Sequence, residues 1–329
     1  MRGEGVASRQ LECANVEWVW AGWGGTPVLI TLLLGCAPAP APAPPRPVPI
    51  SRSAEARSEP TAPASPAALA VDAYVSVLAG YDVTCLLRAS GRLDCQGDNE
   101  QGACSVAGGY YSQVSGAGDD ARVCGLRKDG TIACWGPDFS GPPIPGGHFR
   151  EICSTDRMGC AIRTADDTLQ CWGVLFEEPP PTFAATTLAC NILNVCSLDP
   201  ARHVSCWGRP DQGLPTDETF SKISVGVLFT CGLRVGDGSL QCWGTKAPLT
   251  EDTSERYIAI SAGGTSVCVI SRRNKLRCFG TPLPPADISE RAVKAVSVGW
   301  DHSCVLLTSG ELACWGENAF GQAPARQLP

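Results

Sequence analysis

Cys124-Gly125-Leu126-Arg127-Lys128-Asp129-Gly130-Thr131-Ile132-Ala133-Cys134-Trp135-Gly136 decides the fold, because a version of it stands seven times in the 329-residue chain. The first cysteine of each copy is Cys85, Cys124, Cys160, Cys196, Cys231, Cys268 or Cys304, and the second is Cys95, Cys134, Cys171, Cys206, Cys242, Cys278 or Cys314. Successive first cysteines lie 35 to 39 residues apart. A period of that size marks a repeat architecture in which each copy is one supersecondary unit.

Within a copy, apolar residues stand two after the first cysteine and two before the second, such as Leu126 and Ile132. Period-2 spacing places them with the cysteines on one face of a two-stranded ribbon. The intervening turn often ends in glycine, as in Lys128-Asp129-Gly130, which suits a three-residue hairpin loop with a left-handed last residue. Asn274 can take that conformation in the sixth copy. If Arg127 and Thr131 close the loop, Cys124 and Cys134 oppose each other three residues further out. In the third and fifth copies the extra residue falls inside the loop, so the register survives. Such a pair is non-hydrogen-bonded, with Cα atoms roughly 4.5 Å apart and within disulfide reach. Seven cross-strand disulfides are therefore expected. Zinc is not, since the chain has no CxxC pair and its three histidines lack ligand spacing.

The chain carries a net charge of −7, 44% hydrophobic residues, 36 Gly and 27 Pro. That composition allows a large core with many turns, and without a Lys/Arg run it argues against a nucleic-acid partner. Residues 1–36 read as a signal segment. Val28-Leu29-Ile30-Thr31-Leu32-Leu33-Leu34-Gly35 is too short to span a bilayer, and it leads into Leu33-Leu34-Gly35-Cys36. The latter resembles a bacterial lipobox, in which Cys36 would be lipidated; a cleaved secretory signal is the alternative. Residues 37–72 are rich in Pro and Ala and are expected to form a disordered, extended linker. The domain proper then runs from 73 to 329.

Each hairpin is preceded by a strand-like run, such as Phe220-Ser221-Lys222-Ile223-Ser224-Val225-Gly226. It is followed by an aromatic residue and Gly, as in Trp135-Gly136, except in the first copy, which has Gln96-Gly97. A unit of three strands, with room for a fourth in some copies, cannot hide both faces alone. Seven stacked radially would bury Leu/Ile on one face and Trp on the other, an all-β seven-bladed propeller. Gly299-Trp300-Asp301-His302-Ser303-Cys304, Ser309-Gly310 and Cys314-Trp315-Gly316-Glu317-Asn318-Ala319-Phe320-Gly321-Gln322 complete the pattern. It resembles the repeat of the regulator of chromosome condensation family in its short, Cys-rich bacterial form. Gly97-Asp98-Asn99-Glu100-Gln101-Gly102 in the first copy echoes the same ending, which the middle copies lose. The resemblance implies a propeller closed between first and last units. It leaves function open, because family members act as exchange factors, photoreceptors, enzyme inhibitors and adaptors.

Catalytic motifs are missing: there is no phosphate-binding Gly loop, GxSxG or HExxH. His302 stands where the family repeat often has His and reads as structural. Asp129 and Asp237 read as turn residues, and Asp119/Asp120 and Asp166/Asp167 as solvated loop. No cofactor or metal is expected. Cys104, Cys153 and Cys190 lie outside the hairpin pairs; parity counts against a Cys153–Cys190 bridge, since they stand seven and six residues before their hairpin cysteines. The charges look scattered, so a non-catalytic protein-binding propeller, monomeric and held at the cell envelope or outer surface by the lipid anchor, is the expected function. A propeller enzyme acting on envelope or extracellular glycans is the alternative, and converging carboxylates at the central opening would favour it.

In the family's fold the loops ahead of each first hairpin cysteine gather around the central opening. Here they span 81–84, 119–123, 155–159, 191–195, 227–230, 264–267 and 300–303. Family inhibitors of similar architecture use that face. The large side chains there, Tyr81, Arg122, Arg157, Met158, Leu228, Phe229 and Trp300, are the candidate anchors for a protein partner.

Overall fold

The computed structural model describes residues 72–116, 122–137, 142–155, 157–173, 183–208, 213–249 and 251–324. The signal segment, the lipidation site Cys36 and nearly all of the linker lie outside the described residues. Among these described residues, twenty-two strands and one helical turn follow in order. The first blade is β1 (Tyr74–Ala79), β2 (Val83–Arg88) and β3 (Leu93–Gly97); the second is β4 (Tyr111–Ser115), β5 (Val123–Arg127) and β6 (Ile132–Trp135). The third is β7 (Phe149–Ser154), β8 (Met158–Arg163) and β9 (Leu169–Gly173); the fourth is β10 (Thr187–Cys190), β11 (Asn194–Leu198) and β12 (Val204–Gly208). The fifth is β13 (Phe220–Gly226), β14 (Phe229–Arg234), β15 (Leu240–Trp243) and β16 (Glu251–Asp252), and alone has four strands among the described residues. The sixth is β17 (Tyr257–Gly263), β18 (Ser266–Ser271) and β19 (Leu276–Phe279); α1 (Ala286–Ser289) leads to the seventh, β20 (Val293–Val298), β21 (His302–Leu307) and β22 (Leu312–Gly316). Every sheet is antiparallel and contiguous in sequence.

The hairpin register follows from the loop. The Arg127 amide donates to the Thr131 carbonyl at 2.8 Å, and Gly130 takes φ +86°. Asp129 Oδ1 accepts from both the amide and the hydroxyl of Thr131. Asn274 takes φ +59° in the sixth blade, and Asp167 takes φ +58° in the longer third loop. Each pair of hairpin cysteines then stands directly opposite, and all seven are disulfides with Cα separations of 4.0–4.1 Å. One face of a blade carries Cys and Leu/Ile, the other the aromatic residue. Cys85 and Leu87 of the first blade pack with Val123 and Trp135 of the second. Blade stacking thus buries both faces.

The inner strands β1, β4, β7, β10, β13, β17 and β20 meet around the axis, and one position stitches them together. The residue opposite the first hairpin cysteine is Ser in four blades: Ser115, Ser224, Ser261 and Ser297. Each Ser Oγ accepts from the amide of the next blade's inner strand. The pairs are Ser115 with Ser154 (2.9 Å), Ser224 with Ala262 (2.8 Å), Ser261 with Val298 (2.9 Å) and Ser297 with Ala79 (2.8 Å). An inner strand has no partner on its channel side, so these bonds satisfy otherwise orphaned amides. Leu78 occupies the position in the first blade and packs toward Gly116. In the fourth it is Ala189, and Asn191 Nδ2 bonds the Gly226 carbonyl instead.

At the third blade the position is Cys153, and its partner across the junction is Cys190. The two form a disulfide with a Cα separation of 5.9 Å, contrary to the parity argument. Cys153 lies opposite Cys160 and so on the cysteine face, whereas Cys190 lies opposite Val195, which pairs with Trp207 on the aromatic face. Neighbouring blades present unlike faces to each other, so opposite parity is what brings the two sulfurs together.

Among the described residues no strand crosses the seam between the seventh and first blades. Tyr74, Val77 and Leu86 pack there with Cys304, Leu306 and Leu312. The buried Thr84 hydroxyl donates to the Gln322 carbonyl at 2.7 Å and stands 2.8 Å from His302 Nε2. With its one proton so used, the hydroxyl accepts from His302, which is neutral and protonated on Nε2. His302 is 1% exposed, and burial pushes its pKa from 6.5 to about 4. It is a seam residue, structural as its repeat position implied.

Candidate docking face

The turns from inner to second strands are shorter than the sequence implies. Gly226 pairs directly with Phe229 and Gly263 with Ser266, leaving two-residue turns, and Leu228 takes φ +61°. Phe229 therefore begins β14 and Met158 begins β8. They are 0% and 2% exposed, and each sits in a core cluster between blades. Arg122 is also buried. These three are not surface anchors, which corrects that part of the expected set. Arg157 is exposed and Leu228 half-buried on separate blades.

Tyr81 and Trp300 are brought together. The Trp300 amide donates to Gly80 O across the seam at 3.2 Å, and the Gly299 amide donates to His302 O at 2.9 Å. A Cβ on Gly299 would fall 2.2 Å from Gly80 O, so only glycine lets the two turns meet. The half-buried rings of Tyr81 and Trp300 then stand 5.9 Å apart at 55°, a tilted aromatic pair. Beside them a cavity of about 160 Å³ occupies the mouth of the channel. Every inner strand lines it, from Leu78 to Val298, together with Trp300, and among the described residues its lining holds no carboxylate and no histidine.

Carboxylates do converge, but on the rim outside that cavity, where the sequence showed only scattered charge. Asp82 and Asp301 follow Tyr81 and Trp300 directly. The Asp98 amide donates to Asp82 O and the Glu317 amide to Asp301 O, both at 2.9 Å. Burial raises the pKa of Asp82, with Asp98, Asp301 and Glu317 adding repulsion; burial and Glu317 raise that of Asp301. Three of the four have structural bonds. Asp82 Oδ1 accepts from Gln322 Nε2 at 3.2 Å, Asp98 Oδ1 from the Glu100 amide, and Glu317 Oε1 from the amides of Asn318 and Ala319. The loops carrying Asp98 and Glu317 are the two copies of the Gly-x-Asn-x-x-Gly ending. Asn99 and Asn318 play the same part in them, each accepting a backbone amide at 2.8 Å. That pairing was the available signal: the ending survives only in the first and last copies, which the ring makes neighbours.

A seven-bladed β-propeller stapled by disulfides is thus the class of protein defined. Residues 293–322 match the family model for the Regulator of chromosome condensation (RCC1) repeat. The seventh blade is thus similar to the RCC1 repeat. The fold of the chain is similar to the CRINKLY WD40 ectodomain of the receptor kinase ACR4 from Arabidopsis thaliana. The two share 24% identity with a TM-score of 0.65 over 77% of this chain and 99% of that one. The entire ectodomain of receptor kinase CR4 from Physcomitrella patens gives 21% and 0.63 over 73% and 72% of the two chains. Prp20p from Saccharomyces cerevisiae gives 17% and 0.48 over 76% of each. Eight disulfides among the described residues are the mark of an oxidising environment. None of the described helices is long and apolar enough to cross a membrane.

Proposed function

We propose that the chain is a non-catalytic, protein-binding propeller of the cell envelope, tethered through a lipid on Cys36 and a Pro/Ala-rich stalk, that docks its partner on the face bearing Tyr81 and Trp300. The observation that carries this reading is the half-buried aromatic pair, held at the channel mouth by backbone bonds between the first and last blades. Rigid aromatics with a polar rim are what interface anchors consist of. Two related propellers are receptor ectodomains, which is in keeping with a place outside the cytoplasm. The rim carboxylates raise the enzymatic reading, yet three are engaged in turn structure and none lines the cavity, so binding is favoured over glycan hydrolysis.

Crosslinking on intact cells with the full chain, followed by the same capture with Trp300→Ala, tests the reading. Trp300→Ala should weaken the captured complex by ~2 kcal/mol and leave the melting temperature nearly unchanged. Full affinity in that variant would move the docking site elsewhere. Phe229→Ala removes a core ring and is a fold variant, unsuited to this test. Cys36→Ser should release the protein from membranes; retention there would assign the anchor to another segment.

A further inference from the structure

Three features meet at the seam on one face: the Tyr81–Trp300 pair, the Asp82/Asp98/Asp301/Glu317 rim, and Phe320, which is 52% exposed in the loop after β22. The rim loops are fixed. Gln322 Nε2 reaches Asp82, its Oε1 accepts from the Phe320 amide at 2.9 Å, and Gln322 itself is fully buried. Among the described residues, the charges acting on Asp82 and Asp301 are all carboxylates. A rim of like charges held beside half-buried aromatic rings is electrostatically incomplete. What completes it is a cation that can lie on a ring while its charge meets the carboxylates.

We propose that this corner is a recognition site for a Lys- or Arg-bearing segment of a protein partner, the basic side chain lying against Trp300 and Tyr81 and its charge directed to Asp82, Asp301 and Glu317. The assignment rests on the docking reading above and adds the partner's chemistry to it. Arginine suits the place better than lysine, since its planar head stacks on an aromatic face and meets carboxylates in a fork. The site exists only in the closed ring, because its two halves come from the first and last copies.

Fluorescence anisotropy on the intact chain tests it with four labelled probes of matched size: Arg/Gly, Glu/Gly and Ser/Gly peptides and a neutral oligosaccharide. The Arg/Gly peptide is expected to bind at least tenfold more tightly than the others, with affinity falling as salt rises. Asp82→Asn with Asp301→Asn and Glu317→Gln keeps the acceptor oxygens and should abolish that preference; Trp300→Ala should weaken the Arg peptide about tenfold. Glu255→Gln, at an exposed residue of another blade, should change nothing. Equal binding of all peptides, tighter binding of the oligosaccharide, a preference surviving in the triple variant, or one lost equally in Glu255→Gln each overturns the proposal. The partner captured on cells separates the two readings. If Trp300→Ala weakens that complex and the triple variant does not, docking stands and the cationic assignment falls.

Discussion

The junction between the third and fourth blades and the seam between the seventh and first do the same job with different chemistry. Both join the cysteine face of one blade to the opposite face of the next, which in the first blade carries Gln96 in place of the aromatic residue, and both use the residue opposite the first hairpin cysteine. At the internal junction that residue is Cys153, and the link is covalent. At the seam it is Ser297, whose Oγ accepts the Ala79 amide, backed by the buried Thr84–His302 contact. Among the described residues, the ring thus closes without a shared strand and without a covalent bond at the closure. Reduction should act on the first junction, acid on the second.

The largest effect is expected from the covalent link. Replacing Cys153 and Cys190 by Ala reopens a loop with a sequence separation of 37, worth about 4 kcal/mol by chain entropy. The same change at Cys85 and Cys95, separation 10, should cost about 3 kcal/mol. Chemical denaturation of the two variants compares them, and a smaller loss at the cross-blade pair would undo the contrast.

Acid should act through His302. Between pH 6.5 and about 4 the unfolded chain binds a proton there that the folded chain does not. Stability from this group is therefore complete above pH 6.5 and is lost as pH falls to about 4, by roughly 3 kcal/mol. Glu151, whose pKa burial raises, contributes with the opposite sign, so the difference between wild type and His302→Gln isolates the histidine. Identical pH profiles for the two would remove His302 from the seam's acid response.

Ser297→Ala leaves the buried Ala79 amide without its acceptor and should cost about 2 kcal/mol, with faster hydrogen exchange at Ala79. The smallest effect sharpens the equivalence of the two junctions. With Cys190 changed to Ala, Cys153→Ser should be about 1 kcal/mol more stable than Cys153→Ala, because the hydroxyl can make the bond that Ser makes in four other blades. Equal stability would mean the position is not interchangeable.

What the sequence made legible was local. Cys124 and Cys134 are ten apart across a loop whose length sets their register, so the seven hairpin bridges and the blade count followed from spacing. What it hid lay between units. The Cys153–Cys190 bridge depends on unlike faces meeting, and parity within one ribbon says nothing of the next. Phe229 and Met158 read as loop residues because two-residue turns were taken for longer ones; the ring of Phe229 lies over Gly226, where a Cβ would come within 2.1 Å. The carboxylate rim joins Asp82 and Asp98 to Asp301 and Glu317, residues from opposite ends of the domain that ring closure alone makes neighbours.

The contiguity of each blade bears on how the molecule is made. Seven of the eight disulfides span ten or eleven residues and none of the seven encloses another's cysteine. As the chain is threaded into an oxidising compartment, each hairpin can oxidise as soon as its own turn has emerged, while the next unit is still to come. In the second, fifth, sixth and seventh copies each hairpin cysteine's partner is also its nearest cysteine in the chain, so loop-closure entropy favours the right pairing; Cys104, Cys153 and Cys190 stand nearer to Cys95, Cys160 and Cys196 than the true partners do. The eighth bridge needs the fourth unit to have arrived, and the seam needs the last residues of all. Maturation would run in one direction along the chain, with the face at the seam its final product.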